Sequence, residues 1–557
     1  MTLNSIADFS LQAATKYLQS AVFIDDNIYN QITANPATGD AEARQPKKVM
    51  LTDEAENSLS EKHGSAVEEP ESDDQPKQGF RTKDLVGSFA EYGIVCALYE
   101  PEIEFPIGES STIFKLCQTA DLVILDWDFH QDKVQGTKPK ALIENLIRNG
   151  NQVAPHHVRL IAIYTNTPSL HTIANSLFQH LESAGMEVNP IECPFRLEAG
   201  SSRVVVLGKA GGTKRVEEEE SFTVSEKDLP SRMLREFSEM NQGILPSCAL
   251  LGMAAVRHSS ARILDKFRGD LDAQFLLHRA LIRDSEEAFD QLPELLGDEF
   301  KAVIEDAYYS PEDATQFIEK ACSVIQVKPH SSGWKVGGRP LDEVLKEFWS
   351  KDNPKLTKRL NGKKKSDSGD GTQPDKLPVE DLACMCSMND GDAHHRFAAL
   401  LAIRTQYKPD HRDLGFGSIV LNPRSGEYSV CIMPPCDSLR LKAETNFPFW
   451  SLTKSGNGHP VIVQCHDGKW LGLVFDPGKP SRYMRFTRFV PDQEKNVVRS
   501  TKAADGKFVF RSGDTEFEWV SQLKPSHAQR IANMIGQQLS RVGLNEAEWA
   551  RIAFSKE

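Results

Sequence analysis

Five short apolar runs before residue 210 alternate with amphipathic helical patterns, and this alternation limits the possible folds of the chain more than any other feature. The runs lie at residues 20–24, 93–98, 121–125, 158–164 and 203–208. Continuous apolar runs of this length are typical of parallel strands that are buried on both faces. The alternation predicts an α/β fold with a doubly wound, five-stranded parallel sheet and helices on both faces.

Polar residues follow four of these runs, at the point where each strand ends. Asp25 and Asp26 follow the first run, Asp126 follows the third, and Thr165 and Lys209 follow the fourth and fifth. Because the carboxyl ends of parallel strands meet at one edge of a sheet, we expect these side chains to converge. Three crowded carboxylates need a compensating cation, and a site of carboxylate oxygens and water is one that Mg²⁺ prefers.

This pattern indicates phosphoryl chemistry at the carboxyl edge of the sheet. A carboxylate can attack phosphorus, and a metal ion screens the charge of the incoming phosphoryl group. We therefore expect Asp126 to be the nucleophile, with Lys209 supplying positive charge and Thr165 a hydrogen bond to a phosphoryl oxygen. The alternative is that the acidic residues are only solvated strand ends.

Over roughly residues 15–245, the acid pair, the run LVILDWD around Asp126, and the later Thr165 and Lys209 resemble the receiver domain of bacterial two-component response regulators. The resemblance implies a phosphoryl donor, a partner histidine kinase, and Mg²⁺ as cofactor. It also implies residue roles: the phosphoacceptor Asp126, the switch residue Thr165, the phosphate-binding Lys209, and the metal ligands Asp25, Asp26, Asp126 and the backbone carbonyl of Asp128.

The sequence departs from the receiver pattern in three places. An insertion at 31–80 separates the acid pair from the next helix, and the segment between Thr165 and Lys209 is long enough for an extra hairpin around 188–195. Leu207 stands where receivers usually carry a switch aromatic residue, and Ala210 where proline is usual. We expect the phosphorylation chemistry to be intact and the conformational coupling to be weakened.

Composition and pattern predict four segments along the chain. Residues 1–228 are expected to form the receiver-like domain, with 31–80 as a disordered insertion, because 31–80 has few large apolar side chains. Residues 229–350 show helical periodicity and read as a connector, and the basic segment 351–378 reads as a flexible linker. Residues 379–557 contain three hairpin patterns and two terminal helical patterns, which predict a β-rich, small barrel-like interaction domain.

Charge and composition exclude several classes of protein. The 557-residue chain has 65 Lys and Arg against 79 Asp and Glu, a net charge of −14 that disfavours nonspecific nucleic-acid binding. It has no apolar run long enough to span a bilayer, and its start, MTLNSIADFS, lacks a signal-peptide pattern. Its ten cysteines form no C-x-x-C pair. We therefore expect a cytoplasmic protein with reduced thiols and no membrane contact.

Two other functions are open for the C-terminal part. Arginines alternate with aromatic residues in RYMRFTRF at 482–489, as in single-strand nucleic-acid grooves, so a transcriptional regulator is one alternative. Against it, the last helical pattern carries Glu546 and Glu548 in its first turn, where base-reading side chains would lie. The other alternative is an enzyme that uses Cys436.

The sequence favours a response regulator that acts by protein interaction, or a phosphate sink that draws phosphoryl groups away from a second receiver or an effector protein. Receivers without DNA-binding outputs are, by resemblance, of these two kinds. Large cytosolic examples occur in anti-phage two-component systems of the Detocs type, and the architecture of this chain is similar to theirs.

Overall fold

The computed structural model describes residues 6–28, 82–102, 105–129, 134–153, 158–211, 215–281, 287–308, 335–336, 339–340, 392–454, 459–478 and 480–540. The chain divides into two compact units, Met1–Val324 and Ile325–Glu557. The predicted disordered insertion at 31–80, the linker at 351–378 and the last helical pattern at 546–554 lie outside the described residues.

The first unit begins with strands and helices in alternation. The elements are α1 (Ile6–Tyr17), β1 (Ser20–Ile24), α2 (Thr82–Ala90), β2 (Val95–Tyr99), α3 (Thr112–Thr119), β3 (Leu122–Leu125), α4 (Thr137–Val153), β4 (Arg159–Thr165), α5 (Leu170–Ser183), β5 (Asn189–Ile191), β6 (Cys193–Ala199), β7 (Ser202–Lys209), α6 (Glu217–Glu220), β8 (Thr223–Val224) and α7 (Leu229–Met240).

The predicted doubly wound parallel sheet is confirmed. Its parallel strands lie in the order β2-β1-β3-β4-β7, and Phe23 on β1 pairs with Leu98 on one side and Ile124 on the other. Strands β3, β4 and β7 are buried along their whole length. The helices pack in two groups, α1 and α2 with α7, and α3 with α4 and α5, as expected for two faces of one sheet.

The sheet continues beyond the five predicted strands. After α5 the chain forms an antiparallel hairpin, β5–β6, and β6 pairs antiparallel with β7. The short strand β8 then pairs parallel with the end of β7. In the described part of the chain the sheet therefore has eight strands, and the hairpin expected around 188–195 covers the edge of β7.

Helices follow the sheet, as the periodicity predicts. Apolar side chains of α7 are part of the receiver-like core, so α7 belongs with the sheet. It is followed by α8 (Ile244–Asp265), a short 3₁₀ turn, α9 (Asp272–Leu281) and α10 (Glu287–Tyr308). Within the described ranges, none of the helices combines the length and the apolar character that a membrane span requires.

The second unit is rich in antiparallel strands. Its elements are β9 (Lys335–Val336), β10 (Arg339–Pro340), α11 (Ala393–Ala402), β11 (Ser418–Asn422), β12 (Glu427–Cys431), α12 (Pro435–Ser438), β13 (Thr445–Leu452), β14 (His459–Gln464), β15 (Trp470–Phe475), α13 (Pro480–Tyr483), β16 (Met484–Phe489), β17 (Thr501–Lys502), β18 (Phe508–Ser512), β19 (Thr515–Gln522) and α14 (Pro525–Leu539).

Three predicted hairpins of the second unit are confirmed: β11–β12, β14–β15 and β18–β19. Seven strands form one sheet in the order β16-β13-β12-β11-β19-β18-β17. The hydroxyl of Ser512 on β18 donates to the backbone carbonyl of Arg488 on the edge strand β16, so the sheet curls towards closure. Two apolar clusters pack against this curved sheet, one of them including α14.

Candidate functional site

The topology brings the sequence-predicted side chains together. Asp25 and Asp26 directly follow β1, Asp126 follows β3, Thr165 ends β4, and Lys209 ends β7. These four strands are consecutive neighbours in the sheet and run parallel. Their carboxyl ends therefore form one edge that carries all five residues.

The three aspartates form a buried acidic cluster. Oxygen atoms of Asp25, Asp26 and Asp126 all lie within 4.8 Å of one another, and the three residues are only 2%, 5% and 9% exposed. The backbone amide of Asn27 donates to Oδ1 of Asp25, and its side-chain amide donates to Oδ1 of Asp26. Such hydrogen bonds hold the carboxylates in place but add no net positive charge.

Lys209 supplies positive charge to the cluster. Its Nζ lies 2.6 Å from Oδ2 of Asp25 and 3.6 Å from Oδ2 of Asp126. Burial alone would lower the pKa of this ammonium, but the carboxylates of Asp126 and Asp25 outweigh burial and raise its pKa above the ordinary value. Lys209 is therefore a permanent cation at neutral pH.

The two carboxylate oxygens of Asp126 have different neighbours. Its Oδ1 accepts a hydrogen bond of 2.8 Å from the backbone amide of Trp127, while Oδ2 faces Lys209. Burial raises the pKa of Asp126 to about 6, and Lys209 limits that rise. The Asp126 carboxyl group is therefore mostly ionised at neutral pH. Because it is buried, this carboxylate nucleophile is less solvated than an exposed one.

The donor set fits a divalent cation of the magnesium type. One ammonium faces three carboxylates, so the cluster retains negative charge that a bound cation would neutralise. The carboxylate of Asp128, two residues after Asp126, does not belong to this cluster: Gln135 donates to its Oδ2, and its buried Oδ1 has no hydrogen-bond partner in the described part of the chain.

Arg215 is a part of the site that the sequence patterns do not indicate. Its guanidinium donates to the backbone carbonyls of Lys209, at 3.1 Å, and of Thr165, at 2.9 Å. A third hydrogen bond, of 3.2 Å, reaches the carbonyl of Thr167. Arg215 therefore joins the ends of β4 and β7, the two strands that carry Thr165 and Lys209. Thr165 lowers the pKa of the Asp126 carboxyl group, and its hydroxyl lies 3.1 Å from the hydroxyl of Thr167.

Gly208 makes room for this guanidinium. A Cβ atom at Gly208 would lie 2.4 Å from Cζ of Arg215, closer than real atoms approach. A glycine at the penultimate position of a buried strand is the one sequence signal that could have pointed to a side chain packed on its backbone.

The residue at the usual switch position is an aliphatic side chain that lies in the core. Leu207 is fully buried in the core. The neighbouring aromatic residue on β4, Tyr164, is also buried, and its hydroxyl donates to the carbonyl of Val224 on β8. Neither side chain is placed like an aromatic residue that alternates between a buried and an exposed position.

The C-terminal alternatives gain little from the structure. Cys436 is exposed, and its thiol lies 3.7 Å from Oδ1 of Asp437, an acceptor that does not stabilise a thiolate. On the edge strand β16, Arg485, Phe486 and Arg488 are exposed, whereas the other two aromatic residues of the motif, Tyr483 and Phe489, are buried.

Comparison with known protein families identifies the sheet. Residues 17–214 match the response receiver domain family, from the end of α1 to just beyond β7. Searches among curated proteins and among solved structures gave no match for the chain. The family match leaves α8–α10 and the C-terminal unit without an assignment.

Proposed function

Because the N-terminal part of the chain is a response-regulator receiver domain, we propose that the protein accepts a phosphoryl group from a histidine kinase on Asp126. One observation carries this assignment. Oδ1 of Asp126 accepts a hydrogen bond from the amide of Trp127, and Oδ2 lies 3.6 Å from Nζ of Lys209, whereas Oδ2 of Asp25 is in a closer ion pair, of 2.6 Å, with the same ammonium. Oδ2 of Asp126 is the nucleophile.

The acidic cluster provides the metal ligands. Carboxylate oxygens of Asp25, Asp26 and Asp126, with the backbone carbonyl of Asp128, would hold Mg²⁺. When bound, the ion would neutralise carboxylate charge and screen the charge on the transferred phosphoryl group.

In the transfer step, groups of this chain act on the donor, and a bound Mg²⁺ would screen the phosphoryl charge. Oδ2 of Asp126 forms a bond to phosphorus as the bond from phosphorus to the donor imidazole nitrogen breaks, and the electron pair stays on that nitrogen. Lys209 compensates charge on the phosphoryl oxygens, and the hydroxyl of Thr165 donates to one of them. Arg215 fixes the spacing between these two groups by holding their strand ends together.

The output we propose is that of a phosphate sink. The fully buried Leu207 offers no switch aromatic residue, and the β5–β6 hairpin covers the edge of β7. A phosphoryl group shifts a conformation only through contacts that differ between two states. The protein would then compete with a second receiver, or an effector, for a kinase's phosphoryl groups in the cytoplasm, as in Detocs-type anti-phage systems.

We keep the segment limits derived from the sequence: a receiver at 1–228, a connector at 229–350, a linker at 351–378 and an interaction domain at 379–557. Of the connector, α7 packs into the receiver core. The confirmed hairpins and curved sheet support a β-rich C-terminal partner-binding role. A transcriptional regulator is the second candidate, supported by the exposed Arg485, Phe486 and Arg488 on β16.

Phosphotransfer from a cognate kinase tests the assignment. The kinase should transfer labelled phosphate to the wild type and to the control Asp84→Asn on α2, and transfer should be lost in Asp126→Asn. Equal labelling of Asp126→Asn would overturn the assignment of Asp126.

The proposed phosphate-sink function is tested with a competing receiver in the same reaction. Adding this protein should lower labelling of the competitor, and adding Asp126→Ala should not.

A further inference from the structure

The helices after the receiver leave a large apolar surface uncovered. Between Leu264 and Phe300, nine large apolar side chains are exposed in the described part of the chain, among them Leu276, Leu277, Leu281 and Leu295. From α8 to α10 the buried apolar residues in the same part are Ala254, Ile263 and Val303. Exposed apolar area of this extent marks an interaction surface.

In the described part of the chain, the contacts of α8 with the receiver lie between Ile244 and Arg257. Ile244 and Cys248 pack with Phe9 of α1. Arg257 makes hydrogen bonds of 2.9 Å and 3.1 Å to the carboxylate of Asp121, and its guanidinium lies 4.2 Å from the centre of the Tyr17 ring. Helix α8 also packs on α10, with Lys266 paired to Glu299. Leu245 and Met253 are exposed along α8, and the denser series of exposed apolar side chains begins at Leu264.

The charges beside this surface are complementary within one chain. Beyond the pairs Arg257–Asp121 and Lys266–Glu299 within the chain, the exposed Arg262 and Arg268 lie near the end of α8, and the exposed Glu294 and Asp298 lie on α10. In a two-fold symmetric interface each partner presents the same patch, so the basic end of one α8 can face the acidic α10 of the other copy. A wholly acidic or wholly basic surface would repel its own copy.

We propose that the apolar face of α8, α9 and α10 is the interface of a symmetric dimer with a second copy of this chain. Asp121 precedes β3 and Asp126 follows it, so the anchor of α8 lies at the end of the sheet opposite to the acidic cluster. The dimer therefore forms without phosphorylation. The dimer contains two copies of Asp126. Its formation does not depend on the function proposed for Asp126.

Sedimentation equilibrium of the full chain tests the dimer. The wild type and Asp126→Asn should both be dimers, and Leu277→Glu with Leu281→Glu should raise the dimer dissociation constant about a hundredfold or more, because two apolar side chains per copy lose their burial. The control Leu245→Glu, at the anchored end of α8, should not change it. A monomeric wild type, or equal dimerisation of the double variant, would overturn the proposal.

A second measurement needs no substitution. Amide hydrogen exchange in residues 264–300 of the wild type should become faster as the protein is diluted, while exchange in the receiver strands stays constant. Protection of 264–300 that is the same at every concentration would show that residues of the same chain, such as those between 309 and 391, cover the surface, and would contradict the dimer.

Discussion

The ammonium of Lys209 lies 2.6 Å from Oδ2 of Asp25, although the two residues are 184 positions apart in the chain. It is closer to Asp25 than to Asp126, which lies at 3.6 Å. In the metal-free protein Lys209 is thus the counter-ion of a metal-ligand candidate. A cation that binds Asp25 has to compete with this ion pair.

Replacing Lys209 by methionine should therefore tighten Mg²⁺ binding. Loss of the ammonium leaves three carboxylates without a cation, and we expect the Mg²⁺ affinity to rise roughly tenfold or more. Titration followed by tryptophan fluorescence measures it, since Trp127 is buried beside Asp126. The exposed Lys115→Met is the control, and weaker Mg²⁺ binding in Lys209→Met would contradict the arrangement.

The raised pKa of Asp126 predicts a pH-dependent cost in stability. Its ordinary value is 3.8 and its folded value is about 6, because burial disfavours the carboxylate. Between these two values the folded state holds more protons than the unfolded state, so stability falls as pH rises through this range and stays lower above it.

Asp126→Asn should remove that cost. In metal-free buffer at neutral pH we expect the variant to be more stable than the wild type, by roughly 3 kcal/mol at most from a shift of about two units, and the difference should shrink below pH 4. Calorimetry of the receiver transition across this range measures it. Identical pH profiles for the two proteins would show that Asp126 is not solvated as poorly as the structure indicates.

Arg215→Met should loosen the ends of β4 and β7. Three backbone carbonyls lose their donor, which predicts a loss of roughly 2–4 kcal/mol in receiver stability and slower phosphoryl uptake. Gly208→Ala should act in the same way because its Cβ displaces the guanidinium.

The two substitutions should not add. In the Arg215→Met background, Gly208→Ala should cost much less than it does in the wild type, since the group that it displaces is gone. Gly87→Ala, with open space around it, is the control. If the losses of stability in the two variants add, Gly208→Ala does not act by displacing the guanidinium of Arg215.

Deleting residues 31–80 should leave receiver stability and Mg²⁺ affinity largely unchanged. The segment has few large apolar side chains and so little to contribute to a core. Thermal unfolding and the same fluorescence titration measure the two quantities. A large drop in the unfolding midpoint would mean that the segment packs on the receiver.

The strands could be predicted because buried parallel strands appear in the sequence as continuous apolar runs. Their polar ends could be predicted to converge because the carboxyl ends of parallel strands lie at one edge of the sheet. Asp25, Asp126, Thr165 and Lys209 were predicted for this reason. Arg215 was not, because it lies in a connection without periodicity and acts through backbone carbonyls, whose positions depend on the finished fold. The exposed apolar face of α8–α10 could not be predicted either. Helical periodicity indicates that a helix has an apolar face, but it does not indicate which residues cover that face.

In the proposed reaction, Asp126 is the residue that carries the phosphoryl group. Borohydride reduces an aspartyl phosphate to homoserine, and mass spectrometry of peptides from the full chain then locates the modified residue. After incubation with the kinase, or with a small acyl phosphate donor, in the presence of Mg²⁺, we expect homoserine at position 126 and none when Mg²⁺ is removed. Homoserine at the position of another aspartate, or label that persists on Asp126→Asn, would show that Asp126 is not the phosphoacceptor.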